Sequence, residues 1–384
     1  MAPKPPPPRI PTAAETLKHP AFRTAIWRLK PDRKGLAAVG KGRGGPFKIS
    51  WEIHGVGPIK VVLIMGLGAL KSAWQRQTLH FGHERRDEYS VLLLDNRGVG
   101  ESDKPFMRYS TSEMALDIAE LLADPAVGWL PSFPLPSSPS DPPAARTLHV
   151  VGTSMGGMIA QELAVLIPHS LASLSLIGTA AAVENTTTFT ENIMKIASMI
   201  LPKGGDRSMA DATRSIFAHE WISLPDDVHL PDPATTPGCL PPFADSLSST
   251  EGTGGNEDKY LRFDTNAQRF VAQELHKQMD PAGGRFKLKG FILQLIAAGW
   301  HRKSPEQLAA MADAVGRERI LIMHGVEDGM ITIPHGHKLI DYVKPEKGLV
   351  LEGLGHAPLL ERWKWFHELL TEHFLAGEKL SGRG

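Results

Sequence analysis

Cysteine is almost absent from this 384-residue chain: Cys239 stands alone. One thiol cannot build an internal disulfide framework or a multi-cysteine zinc site. An excess of charge is missing too. Forty-two Lys and Arg balance 42 Asp and Glu, and a chain without a basic surplus lacks the electrostatic footprint of a nucleic-acid binder. Long apolar runs are also missing. The run Val61–Leu70 is well short of the ~20 residues that a membrane-spanning helix needs. The start, MAPKPPPPRIPTAAETLKHP, has no continuous apolar segment of the kind that marks a secretory signal. The expectation is a soluble α/β protein in the cytoplasm, with 42% hydrophobic residues to build a sizeable core.

What is abundant is glycine, 37 residues, and proline, 31, and their placement divides the chain. Residues 1–46 read as a basic, Pro/Gly-rich extension, partly disordered. The first 34 residues carry eight Lys and Arg against Glu15 and Asp32. Such an acid-poor start leaves a mitochondrial presequence as the alternative address, although the prolines oppose the amphipathic helix it would need.

From Phe47 the pattern becomes regular. Phe47–His54 alternates like a half-buried strand, and Lys60–Met65 and Ser90–Asp95 are short apolar runs suited to central parallel strands. Ser110–Ala123 has helical spacing behind a Ser/Thr cap. Strand and helix patterns continue at Thr147–Val151, Met155–Ile167 and Leu171–Ile177. They resume at Ile320–His324, His335–Tyr342, Gly348–Leu351 and Leu359–Phe374. This alternation implies a mostly parallel sheet covered by helices on both faces. The core is expected over 47–182 and 304–384.

Two segments break the rhythm. Pro131–Pro143, with six prolines and four serines, reads as a surface loop insertion. Residues 183–303 carry helical patterns at Thr188–Ile200, Ala210–Phe217, Asn266–Met279 and Phe286–Trp300, around a Pro/Ser/Gly-rich loop at 231–257 that is expected to be mobile. A helical block inserted between two strands of one sheet is expected to cap it.

The chemistry lies in Gly152-Thr153-Ser154-Met155-Gly156-Gly157, between a strand pattern and a helix pattern. This is the G-x-S-x-G arrangement. A sharp strand-to-helix turn strains the serine backbone, leaves no room for side chains two residues to either side, and lifts the hydroxyl clear of the sheet above a positive helix N-terminus. Serine is a poor nucleophile unless a base takes its proton and an acid orients that base. Asp328 and His356 each stand in the loop after a late strand, in the order acid then histidine. Glu184, after the sixth strand, is the alternative acid. A developing oxyanion needs two backbone N–H donors. Met155 supplies one, and Leu67 in Met65-Gly66-Leu67-Gly68 is the candidate for the other, with Gly66 and Gly68 letting backbone approach a substrate.

These residues, together with Asp95-Asn96-Arg97-Gly98-Val99-Gly100-Glu101-Ser102, resemble the α/β-hydrolase superfamily, in its serine-hydrolase branch with a helical cap after the sixth strand. The D-x-R-G-x-G-x-S turn in that resemblance supports the site loop. The likeness covers roughly 47–182 and 304–376. It departs at Met65, where many relatives carry His; because the donor there is backbone, this changes entrance polarity and not the donor. Ser154 separates the chain from relatives with an Asp nucleophile, the dehalogenases and epoxide hydrolases.

Other signals fail their context. Gly40–Gly45 satisfies G-x-G-x-x-G, and Gly35–Lys41 matches G-x-x-x-x-G-K. Gly42 replaces the magnesium-binding hydroxyl, however, and Pro46 with a strand follows where a helix should start. A flexible basic loop is expected there. His335 and His337 diverge on a helix and offer no metal site. Phe286–Trp300 is either cap core or, through Trp300, a pocket wall facing Ser154.

The expectation is an enzyme that needs neither metal nor organic cofactor. It would cleave a carboxylic ester, lactone or thioester of a small, mostly apolar acyl substrate through an acyl-enzyme. Acyl transfer, cofactor-free perhydrolysis and non-catalytic ligand binding are the alternatives that the same residues allow. Oligomeric state is not legible in these patterns.

Overall fold

The structure is a computed structural model and describes residues 8–134, 145–184, 205–242, 259–279 and 288–383. Its frame is an eight-stranded sheet in the order β1-β2-β4-β3-β5-β6-β7-β8. The strands are β1 (Arg33–Val39), β2 (Phe47–His54), β3 (Ile59–Ile64), β4 (Tyr89–Leu94), β5 (Leu148–Thr153), β6 (Leu171–Ile177), β7 (Ile320–Gly325) and β8 (Lys347–Leu351). Only β2 runs antiparallel to its neighbours, β1 and β4; the other pairings are parallel.

The continuous apolar runs expected of central strands follow from burial on both faces. Successive residues point to opposite sides. Val62 and Ile64 join one cluster with Ile118, Leu122, Ile159, Leu163, Leu308 and Leu339. Val61 and Leu63 join the other with Phe366, Leu370 and Phe374. The first cluster is closed by α1 (Thr111–Ala123), α2 (Met155–Leu166), α6 (Pro305–Val315) and α7 (Ile333–Val343); the second is closed by α8 (Trp363–Leu380). Helix starts obey local chemistry. Ser110 accepts the Glu113 amide ahead of α1, and Ser304 forms a capping box with Gln307 ahead of α6.

The sheet begins earlier than expected. β1 lies inside the predicted extension, its residues pairing with β2 from Arg33↔Ile53 to Val39↔Phe47. Only Ala37 and Val39 of β1 are buried, so the strand buries little and its basic surroundings hide it. Upstream, Ala21, Phe22 and Ala25 bury against Val271, Ala272 and Leu275, and Trp27 against Val228, Cys239 and Tyr260. The Gly40–Gly45 stretch, expected to be a flexible loop, is the β1–β2 turn. The Gly45 amide donates to the Gly40 carbonyl at 2.9 Å, and Arg43 pairs with Glu113, Asp117 and Glu120.

Between β6 and β7 run α3 (Gly205–Ile216), α4 (Asn266–Met279) and α5 (Leu288–Trp300). The expected helix at Thr188–Ile200 and most of the 131–143 insertion lie outside the described residues. Of the loop expected to be mobile, residues 231–242 are described and tied to the N-terminal segment: Lys30 N–H donates to Gly238 O at 2.8 Å, and Leu240 N–H to Arg28 O at 2.9 Å. No helix among the described residues is long and apolar enough to cross a membrane.

Candidate active site

Parallel strands place the loops that follow them along one edge of the sheet, where ligands of open α/β folds bind. Here the loops after β3, β5, β6, β7 and β8 carry Met65–Gly68, Ser154, Gly178–Thr179, Asp328 and His356.

Ser154 has φ 57° and ψ −126°, one of two non-glycine residues at positive φ among those described. Such strain costs on the order of 1–3 kcal/mol and persists only where the surroundings enforce it. The surroundings here do enforce it. The Ser154 amide donates to Ile177 O at 2.9 Å, and its carbonyl accepts from Thr179 Oγ1 at 2.7 Å. A Cβ on Gly152 would stand 2.3 Å from Gly156 O, and one on Gly156 only 2.2 Å from Ile64 O. The turn therefore admits no side chain at either position. Gly66 lies against the hydroxyl; its notional Cβ would be 3.3 Å from Ser154 Oγ.

Asp328 is buried, and its two oxygens have separate tasks. Oδ1 accepts the Met330 and Ile331 amides, both at 2.8 Å. Oδ2 accepts His356 Nδ1–H at 2.6 Å and lies 3.3 Å from His324 Nε2. Burial pushes the Asp328 carboxyl up. The charge of His356 and the hydrogen bonds from His324 and His356 outweigh it and hold the group well below the usual carboxylate range. Since His324 Nε2 also lies 2.6 Å from the Ile331 carbonyl, both its partners are acceptors and Nε2 must carry the proton. Among the described residues its buried Nδ1 has no hydrogen-bond partner. Glu184, the alternative acid, is elsewhere: its carboxylate pairs with Lys338 and its backbone meets the His335 ring.

The His356 loop is pinned as well. Its amide donates to Ile216 O at 2.6 Å. The buried Glu361 carboxylate accepts the Gly355, Ala357 and Ala218 amides at 3.0, 3.2 and 2.8 Å. Burial pushes Glu361 up to about 7 against the pull of those amides and of His356.

The loop after β3 rests on the 95–102 turn. Asn96 Nδ2 donates to Met65 O at 2.9 Å, and Asp95 Oδ1 accepts the Lys71 amide at 2.8 Å. Lys71 Nζ sits 3.0 Å from Asp95 Oδ2, in contact with Glu101 as well. Among the described residues, no protein acceptor is assigned to the Leu67 or Met155 amide, while the Gly68 amide donates to Gln294 Oε1 at 2.8 Å. Trp300, expected to face Ser154, is instead 69% exposed beneath the Arg108 guanidinium. Its place at the end of α5 turns it outward, and Gln294 of the same helix meets the site loops. The sequence reading missed Gln294, His324 and Glu361. The signal for Gln294 was a lone polar residue in the run Phe291–Ala298.

A doubly wound sheet with a strained serine at one strand end and an aspartate–histidine pair at two others defines an α/β hydrolase architecture. The comparisons agree. Residues 54–369 match the model of the Alpha/beta hydrolase family, and the chain belongs to that family. It is 25% identical over 181 residues to a putative carbamate hydrolase RutD of Azorhizobium caulinodans, covering 47% of this chain and 58% of that one. A second RutD, from Variovorax paradoxus, is 29% identical over 134 residues, 34% of this chain and 41% of its own. The chain thus spans about half the length of the curated relatives it matches. Among solved structures, a thermophilic esterase from Thermogutta terrifontis superposes with a TM-score of 0.59 at 16% identity, covering 90% of this chain and 99% of that one. An enol-lactonase from Burkholderia xenovorans gives 0.56 at 16%, covering 89% and 100%.

Proposed function

We propose that this protein is a serine hydrolase that cleaves an ester-type bond of a small, mostly apolar substrate through an acyl-enzyme, with α3, α4 and α5 as part of its cap. The observation that carries the reading is the strained Ser154 backbone held beside Gly66, on the same sheet edge as the 2.6 Å His356–Asp328 pair.

Ser154 Oγ attacks the acyl carbon as His356 takes its proton. Asp328, kept ionised, fixes the proton on Nδ1 of His356 so that Nε2 acts as the base, and it stabilises the imidazolium that forms. The Leu67 and Met155 amides receive the oxyanion. His356 then returns the proton to the leaving group, and a water activated by the same imidazole releases the acid and regenerates Ser154. No step draws on a metal or cofactor. The relatives' names include carbamate hydrolase, esterase and enol-lactonase, so carbamates and lactones belong in the substrate screen beside p-nitrophenyl esters of graded chain length.

The deciding test is labelling with a fluorophosphonate. Wild type is expected to label and Ser154→Ala to stay blank. A folded wild type that remains unlabelled overturns the reading.

A further inference from the structure

Helix α5 meets the loop after β3 through the side chain of Gln294. Gln294 is fully buried, and both ends of its amide are used. Oε1 accepts the Gly68 amide at 2.8 Å, and Nε2 donates to the Arg97 carbonyl at 2.9 Å. The contact is close on the backbone as well: a Cβ on Gly290, one turn earlier, would stand 2.1 Å from Gly98 O. At the far end of the helix, His301 Nδ1 lies 2.8 Å from Thr111 Oγ1 and Nε2 lies 3.4 Å from Gln161 Oε1. Burial pushes His301 down to about 3, so it is a neutral hydrogen-bonding anchor at ordinary pH. Helix α5 is therefore hung on the core at two buried points, and the forward point is the loop after β3.

That attachment decides which amide of the loop is available. Gly66, Leu67 and Gly68 offer three consecutive N–H groups, and the first of these residues lies against Ser154. Gln294 occupies the last of them, and the Arg97 bond fixes the direction of its amide, so the oxygen faces Gly68. We propose that Gln294 is a positioning residue: by holding Gly68 it orients the loop so that the Leu67 amide meets the oxyanion. The inference rests on the hydrolase reading for its kinetic consequence. Its structural consequence, protection of the Gly68 amide, is independent of that reading.

The test compares wild type, Gln294→Leu and Gln294→Glu. Leu has nearly the same shape and neither bond. Glu keeps the acceptor for Gly68 and loses the donor to Arg97. Amide exchange over residues 66–70 is expected to quicken at least ~10-fold in Gln294→Leu and much less in Gln294→Glu, because the lost bond exposes the Gly68 amide to local opening. With a p-nitrophenyl ester, Gln294→Leu is expected to lower kcat about 10–100-fold with KM within ~3-fold, since a misplaced donor is felt in the transition state and not in binding. Gln294→Glu is expected to recover most of that loss. Unchanged exchange, or a folded Gln294→Leu with wild-type kcat, overturns the proposal. If Gln294→Leu does not fold, the Gln294→Glu exchange and kcat decide alone: exchange at the Gly68 amide as fast as in an unprotected peptide overturns it. A wild type inert to fluorophosphonate whose Gly68 amide is protected only while Gln294 is present would end the hydrolase reading and leave the attachment standing.

Discussion

The sheet side of the site and the side contributed by residues between β6 and β7 are held by bonds of different range. Ser154 directly follows β5, Asp328 stands three residues past β7 and His356 five past β8. Their positions follow from where strands end. The other side reaches across the chain: Gln294 to Gly68 over 226 positions, Arg28 to the Tyr260 hydroxyl over 232, Arg269 to Asp226 over 43. The first arrangement needs only a parallel sheet to bring the proposed reacting groups to one edge. The second needs the tertiary structure to exist already, so it can tune the site but cannot create it. Damage to the sheet side should remove chemistry with little loss of stability, and damage to the other side should cost stability or weaken the chemistry without removing it.

The largest expected effect tests the first half of that contrast. Asp328→Asn keeps the shape but offers an amide where His356 Nδ1–H needs an acceptor, which favours the wrong tautomer. The expected loss in kcat is about 10³–10⁴-fold with a melting temperature close to wild type. Glu184→Ala, at the alternative acid, is expected to stay within ~2-fold, because its carboxylate pairs with Lys338 on the surface. Steady-state kinetics on the two variants decide the assignment, and a reversed ranking removes Asp328 from its role.

The second effect probes the other half. Asp226 is buried and accepts Arg269 Nε–H at 2.7 Å and the Phe263 amide at 3.0 Å. Among the described residues Arg269 Nη1 already has no hydrogen-bond partner. Asp226→Ala leaves a guanidinium buried with no counter-charge, expected to cost about 3–5 kcal/mol. Urea unfolding should show the loss, while the kcat of the folded fraction falls far less than in Asp328→Asn. Unchanged stability would mean that the pair is not what holds this region together.

The same difference in range explains what could be read in advance. The strands β3 to β7 were legible because burial on both faces demands long apolar runs, and the Ser154 turn because backbone crowding at Gly152 and Gly156 forbids side chains there. Asp328 and His356 followed from strand ends. β1 was hidden, since Ala37 and Val39 are its only buried residues and glycine and cations surround them. Trp300 misled for a related reason: α5 is apolar around much of its circumference, so periodicity could not say which face turns inward. The face that does so carries Gly290, Gln294, Ala297 and Ala298, small residues that admit close backbone approach.

Glu361 joins the two regions, and it gives the smallest expected effect. Its carboxylate binds the amides on both sides of His356 and that of Ala218, which follows α3. Burial raises its folded pKa from 4.5 to about 7, so the folded protein binds this proton more tightly than the unfolded chain does. The group's contribution to stability is then fully present below about 4.5 and is lost as pH rises through about 7. In wild type the melting temperature is expected to decline between those values by ~3 °C more than in Glu361→Gln, which cannot ionise. The readout is the slope with pH and not the absolute stability, because Gln also turns an amide toward N–H donors. Parallel slopes in the two proteins would show that the backbone amides keep Glu361 ionised throughout. The bond between the His356 loop and Ala218 would then be insensitive to pH.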